Sequence, residues 1–215
     1  FISNFNSIKF NNFDICIICV GPRNIKNLPK SLGKLKCPIY SLENDANSVF
    51  ELRELFNKKD IYFGVPDVIT SYTASLKNLE EDPNALHTEN GVLYLEDHQD
   101  IKKELKDLMP KVKWITKERM IKEWDAKLYI HNTPHCIAAF YGYLNKCKYV
   151  HNALEIESIK LTLNGVVDEV LQTLKILKNH DHDFLEWYAK KEISRFSNKL
   201  LYDPVKRVAR QPLRK

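Results

Sequence analysis

The chain has 215 residues, 44% of them hydrophobic and 28% charged, with a net charge of +5 at neutral pH and a pI near 8.8. That length holds one large domain or two small ones, and the apolar share suffices for a sizeable core. Acidic and basic residues are mixed along the chain, so the basic balance does not by itself point to nucleic acid and no nucleic-acid partner is expected, and no apolar run approaches the ~20 residues of a membrane span.

In chain order, Phe13 to Val20 (FDICIICV) is a continuous β-branched run bounded by Gly21-Pro22, the pattern of a buried strand. Asn24 to Lys36 reads as a short helix or turn region interrupted by Pro29. Pro38 to Leu42 is a second strand, Ala46 to Leu55 a helix capped by Asp45, and Ile61 to Ile69 a third strand. Strand, crossover, strand, helix, strand predicts a parallel sheet with right-handed connections. Leu86 to Leu95 reads as a hairpin with Asn90-Gly91 as a type I′ turn. After Asp97 the pattern turns helical, over Gln99 to Leu108, Lys117 to Leu128, Thr133 to Leu144, Glu157 to Lys178 and Phe184 to Phe196. The boundary between a sheet domain and a helical domain is expected near Asp97 to Asp100. Pro134 cannot sit deep in a helix without losing a hydrogen bond to Ile130. Either the helix restarts there, with Asn132 or Thr133 as its cap, or it kinks.

Cysteines at 16, 19, 37, 136 and 147 are odd in number. Cys16 and Cys19 have CxxC spacing inside an apolar strand, and no second pair completes a zinc site. All five therefore read as reduced thiols, with no metal, in a cytoplasmic protein. No signal-peptide pattern opens the chain, and its first residue is Phe1 rather than Met. The mildly basic balance suits an anionic small ligand.

Lys127 to His135 (KLYIHNTPH) is the most informative stretch. On an α-helix, Asn132 lies about 140° from Lys127 and His135 about 80°. All three can point into one cleft. The trio suits metal-free oxidation of a secondary alcohol. A lysine amine takes the hydroxyl proton, an amide stabilises the developing alkoxide, and an imidazole holds a neighbouring hydroxyl. The same residues also read as a solvated lysine, a capping asparagine and a core histidine. A free lysine has a pKa near ~10.4, so the base role requires burial or a nearby cation to favour the neutral amine.

Lys127 to Leu144 (KLYIHNTPHCIAAFYGYL), Arg195-Phe196-Ser197-Asn198, Asp203 and the closing VKRVARQPLRK together resemble the polyol-specific long-chain dehydrogenases, in particular their mannitol-1-phosphate 5-dehydrogenase branch. The pattern K-x4-N-x2-H, R-F-x-N, D-x-V-x-R-V and R-Q-P-L-R-K is present in order, strongest from Trp114 to Leu144 and from Arg195 to Lys215. The resemblance implies an α/β fold: the second half of a Rossmann-like parallel sheet in residues 1–98, then a mostly α-helical substrate domain in 99–215. It implies Lys127 as general base, with Asn132 and Asn44 (in Ser41-Leu-Glu-Asn44) as amide donors to the reacting oxygen. His135 would bind substrate hydroxyls. Gly21-Pro22 would lie beside the cofactor with Asn44. Asp67 either contacts substrate or caps the next segment, and it lacks the arginine that follows it in many relatives. Arg210 and Arg214, with Arg207 and Lys215, form a basic cluster suited to phosphate, the particular arginine being open. The cofactor implied is NAD, with NADP open, and the partner a polyol or sugar phosphate. The sequence does not fix the oligomeric state.

No G-x-G-x-x-G occurs, and there are six glycines in all. The phosphate-binding turn of a dinucleotide fold belongs to its first strand–helix unit, so the resemblance leads us to expect the middle section of a longer enzyme. Two alternatives stand beside the leading reading. One is a mannitol 2-dehydrogenase or hexuronate reductase of the same family. The other, of a different class, is a non-catalytic helical module acting by protein association.

Overall fold

A computed structural model describes residues 13–71, 76–99 and 101–210. The strands are β1 (Cys16–Ile18), β2 (Ile39–Ser41), β3 (Ile61–Asp67), β4 (Thr70–Ser71), β5 (His87–Thr88), β6 (Val92–Glu96) and β7 (Val112–Ile115). The α-helices are α1 (Ser48–Phe56), α2 (Leu76–Glu81), α3 (Lys103–Leu108), α4 (Lys117–Asp125), α5 (Thr133–Leu144), α6 (Val150–Ala153), α7 (Glu157–Lys178), α8 (His182–Phe196) and α9 (Val205–Ala209). Two 3₁₀ turns, Pro22–Asn27 and Lys30–Lys34, fill the region read as a broken helix. A π-helix, Ala126–Asn132, joins α4 to α5.

The chain divides into two compact units. One holds the residues up to Asp67 together with Val92–Ile121; the other holds Val68–Gly91 together with the residues from Lys122 on. The boundary expected at 97–100 therefore falls inside the first unit. The reason is β7, a short strand absent from the sequence reading, which pairs with β6 and keeps the chain in the sheet as far as Ile115.

The first unit is a five-stranded sheet of order β1-β2-β3-β6-β7. β1, β2 and β3 are parallel, as expected, but β6 runs antiparallel to β3 while β7 is parallel to β6. Successive strand residues point to opposite faces. Ile39 and Ile61 thus pack on one side with Ile18, Val49 and Leu52, while Tyr40 and Tyr62 pack on the other with Leu95, Ile101 and Leu105. Covering on both faces is why these strands read as unbroken apolar runs.

The hairpin expected over Leu86–Leu95 does not form. His87–Thr88 pairs with β4 and Val92–Glu96 with β3, in separate sheets. Neither Asn90 nor Gly91 has the positive φ that a type I′ turn requires. The strand partners are distant in sequence, and local turn chemistry carries no information about them.

In the second unit, α7 buries Ile159, Leu163, Val167 and Leu174 along one stripe. α5 is lined by small residues where other helices approach. A Cβ on Gly142 would stand 2.9 Å from the Ala153 Cβ and 3.2 Å from Val205. Close approach there lets α5 lie against α6 and α9, around a core that includes Ala138, Ala139, Phe196, Val205 and Val208.

Candidate active site

The stretch from Lys127 to His135 leaves α-helical geometry over its first six residues. The π-helix carries Lys127 and Asn132, and α5 continues from it with Pro134 in its first turn and His135 following. A π-helix closes its hydrogen bonds over five residues, so residues five apart lie close to one turn on. The 140° expected between Lys127 and Asn132 on an α-helix is thereby reduced, and the two side chains swing toward a common side. The wide turn also answers the question set by Pro134. The helix neither restarts nor ends: Asn132 and Thr133 keep right-handed helical dihedrals, and Asn132 makes no side-chain cap. The Thr133 hydroxyl donates to the Leu128 carbonyl, five residues back, at 3.3 Å. Lys127 is 8% exposed and His135 likewise 8%, so both are shielded from bulk water.

Two histidines one α-helical turn apart meet two carboxylates. His131 Nδ1 lies 2.5 Å from Glu192 Oε2 on α8. His135 Nε2 lies 2.7 Å from Asp203 Oδ2 at the start of the segment leading into α9. Each carboxylate is held in turn by an arginine. Arg195 Nη1 donates to both oxygens of Glu192 at 2.7 Å, and its other nitrogens clamp Glu89. Arg207 donates to Asp203 Oδ1 through Nε at 2.9 Å and Nη2 at 2.5 Å. Phe196 packs on both rings, stacked on His135 at 4.9 Å and tilted against His131 at 5.2 Å, and the two imidazoles meet each other edge-on at 5.3 Å.

Burial holds the His135 imidazole down, to about 4, against the opposing hydrogen bond from Asp203. Burial alone would raise Asp203, but the His135 hydrogen bond and the Arg207 charge hold it below its usual value. Glu192 is fully buried, yet His131, Arg195 and Lys191 together overcome the desolvation and bring it to about 2.

The sequence features absorbed by this network are R-F-x-N and D-x-V-x-R-V. Arg195 and Phe196 act on the histidine pairs, Asp203 and Arg207 form the second pair, and Val205 and Val208 are core. Glu192 had a detectable signal. α8 buries Leu185, Tyr188, Ala189, Glu192 and Phe196, so a carboxylate interrupts an otherwise apolar stripe. Arg207, read as one of the phosphate candidates, is committed to Asp203. Arg210 is exposed at the end of α9, and Arg214 lies outside the described residues.

The first unit carries the other expected residues at the carboxyl ends of its parallel strands. Gly21 follows β1 with φ +88°, Pro22 opens the next 3₁₀ turn, Asn44 is exposed beyond β2, and Asp67 ends β3 with 6% exposure. Glu43, given no role from the sequence, organises this edge. One carboxylate oxygen accepts from the Val20 and Gly21 amides at 2.6 and 3.0 Å. Burial raises its carboxyl while those two hydrogen bonds pull the other way.

The fold is that of the Rossmann-type dehydrogenases with a helical C-terminal domain. A substrate-free D-sorbitol dehydrogenase superposes with TM-score 0.67 at 18% identity, covering 92% of this chain and 52% of that one. The ternary complex of Pseudomonas fluorescens mannitol 2-dehydrogenase with NAD and D-mannitol gives TM-score 0.67 at 15% identity over 91% and 51%. Residues 121–215 match the mannitol dehydrogenase C-terminal domain. A mannitol-1-phosphate 5-dehydrogenase from Caldanaerobacter subterraneus subsp. tengcongensis is 37% identical over 91 residues, which is 42% of this chain and 24% of that protein. One from Aspergillus niger is 36% identical over 111 residues, 50% and 27% respectively. The match thus spans about a quarter of the length of these relatives. No helix among the described residues is long and apolar enough to cross a membrane.

Proposed function

We propose that this chain contributes the proton-transfer and substrate-binding residues of a nicotinamide-dependent dehydrogenase that interconverts mannitol 1-phosphate and fructose 6-phosphate. The observation that carries the reading is the π-helical turn, which brings Lys127 and Asn132 toward one side and places His135 just beyond them. Lys127, shielded from water, takes the proton of the reacting hydroxyl at Nζ. The Asn132 amide donates to the oxygen as negative charge builds on it. His135 holds an adjacent hydroxyl. No metal is required for these three tasks.

The carboxyl edge of β1–β3 suits the nicotinamide end of NAD. A Cβ at Gly21 would meet only the Asn24 Nδ2, at 3.7 Å, and Asn44 is exposed on the same edge. Ligands of parallel α/β sheets lie at this edge. Bound there, the cofactor supplies the hydride acceptor. Gly21, Pro22 and Asn44 are the residues that would hold it.

An unphosphorylated polyol is the second reading, favoured by the commitment of Arg207 to Asp203. The test is turnover of mannitol 1-phosphate, mannitol and a hexuronate by the natural polypeptide, with NAD and with NADP. Lys127→Ala is expected to lower turnover by roughly 10²–10⁴-fold with little change in cofactor affinity. Retention of wild-type turnover would remove Lys127 from the role of base. Arg210→Ala or Arg214→Ala is expected to raise KM for the phosphorylated substrate by about one to two orders of magnitude and to leave mannitol unaffected. Equal effects on both substrates would place these arginines outside the phosphate site.

A further inference from the structure

We infer that Asp203, itself fixed by Arg207, is a positioning residue: it locks His135 as the Nε2–H tautomer and so presents Nδ1 as a bare acceptor to a ligand hydroxyl. The inference rests on the function proposed above for the identity of the ligand, but the geometry stands apart from it. Asp203 Oδ2 lies 2.7 Å from Nε2, and a carboxylate can only accept, so Nε2 carries the proton. Nδ1 makes no hydrogen bond among the described residues. Stacking on Phe196, with 8° between the planes, opposes the ring flip that would put a carbon where Nε2 faces Asp203. His135, Asp203 and Phe196 are all buried, which shields the pair from bulk solvent.

The backbone delivers Asp203 to this position by three separate constraints. Tyr202 adopts φ +47°, a left-handed conformation that side-chain-bearing residues seldom take, and turns the chain sharply just before Asp203. The Asp203 carbonyl accepts from the Val150 amide at 3.0 Å, and the Val205 amide donates to the Lys148 carbonyl at 3.1 Å. Tyr149 and Pro204 complete a two-sided bridge around it. A carboxylate that served packing alone would need none of this orientation.

Arg207 gives the inference a sharp test. It occupies Oδ1, so in Asp203→Asn the amide oxygen is drawn to the guanidinium and the amide NH₂ falls toward Nε2. Nε2 must then accept, and the proton moves to Nδ1. Nitrogen-15 NMR of the histidine side chains, assigned by His135→Gln, reads the tautomer directly. The wild type is expected to show protonated Nε2 and unprotonated Nδ1, and Asp203→Asn the reverse. In turnover, Asp203→Asn is expected to raise KM for the polyol by about tenfold or more, with kcat changed less. A wild type with protonated Nδ1, or with both tautomers in exchange, overturns the inference, and so does a variant with an unchanged spectrum. The wild-type spectrum is decisive even where the variant does not fold. An Nε2–H signature in a protein that oxidises no polyol supports the assignment of Asp203 while removing the function proposed above.

Discussion

His131 and His135 each meet a buried carboxylate that meets an arginine, and the two systems respond to acid in the same direction. His135 has a folded value of about 4 against an ordinary 6.5, so the unfolded chain takes up a proton before the folded one does. Stability from this group is therefore complete above about pH 6.5 and falls as pH drops toward 4, by on the order of 3 kcal/mol. Glu192, held at about 2 against 4.5, contributes stability that is present above 4.5 and lost as pH falls through 2. Denaturant midpoints are expected to decline steadily from about pH 7 to pH 4, with a shallower decline in His135→Gln. A midpoint that holds constant across that range would contradict the buried neutral imidazole. Glu192→Ala is expected to cost about 3–5 kcal/mol, since it leaves His131 and Arg195 facing each other without their shared anion. A loss below about 1 kcal/mol in the same measurement would mean the network is solvated.

At the scale of elements, the π-helix is the feature on which the proposed function rests. Such segments behave as an extra residue accommodated within an α-helix, and they recur at functional sites. Tyr129 lies within the segment and is 39% exposed, so its removal takes away little core. Deleting Tyr129 is expected to let the segment wind as α-helix with a small change in melting temperature, while turnover falls at least about a hundredfold as Lys127 and Asn132 separate. Unchanged turnover in the deletion would show that the wide turn is dispensable. Packing of α5 sets a second expectation. Gly142→Leu forces a branched side chain into a gap where even a Cβ would meet Ala153 at 2.9 Å, and should destabilise by about 1–3 kcal/mol. Gly165→Ala on α7, with nothing within 4 Å of a new Cβ, should be neutral or stabilising. Thermal melts of the two variants side by side check both.

For the molecule as a whole, the edge proposed for the cofactor is the limiting feature. The sequence contains no G-x-G-x-x-G, and the Gly21 amide at the end of β1 is already donated to Glu43. A pyrophosphate is normally held by free amides of a glycine-rich turn at a helix N-terminus. These 215 residues by themselves are therefore expected to bind NAD weakly and to show no measurable turnover. Calorimetric titration beside an activity assay checks this; micromolar binding with turnover would mean that the pyrophosphate is held in another way.

The sequence by itself determined the helices with strong periodicity. Thr133–Leu144 and Glu157–Lys178 have the expected bounds, and Phe184–Phe196 begins only two residues early, because an apolar stripe repeated over several turns has one low-energy way to be buried. It also determined the three parallel strands, though each is shorter than its apolar run, and the stretch that matches the mannitol dehydrogenase C-terminal domain. Only the tertiary structure decided the rest. β7 (VKWI) is too short and too mixed to be recognised until β6 supplies its hydrogen-bonding partner. The direction of β6 depends on β3, some thirty residues away in sequence. At Lys127–Asn132 the local sequence offers only Pro134, which cannot donate to Ile130; that the chain answers with a wide turn rather than a restart is seen in the fold. The pairing of His135 with Asp203 joins residues 68 apart. Periodicity reports what one element buries; which partner it meets depends on how the chain folds back, and the site is made of such partners.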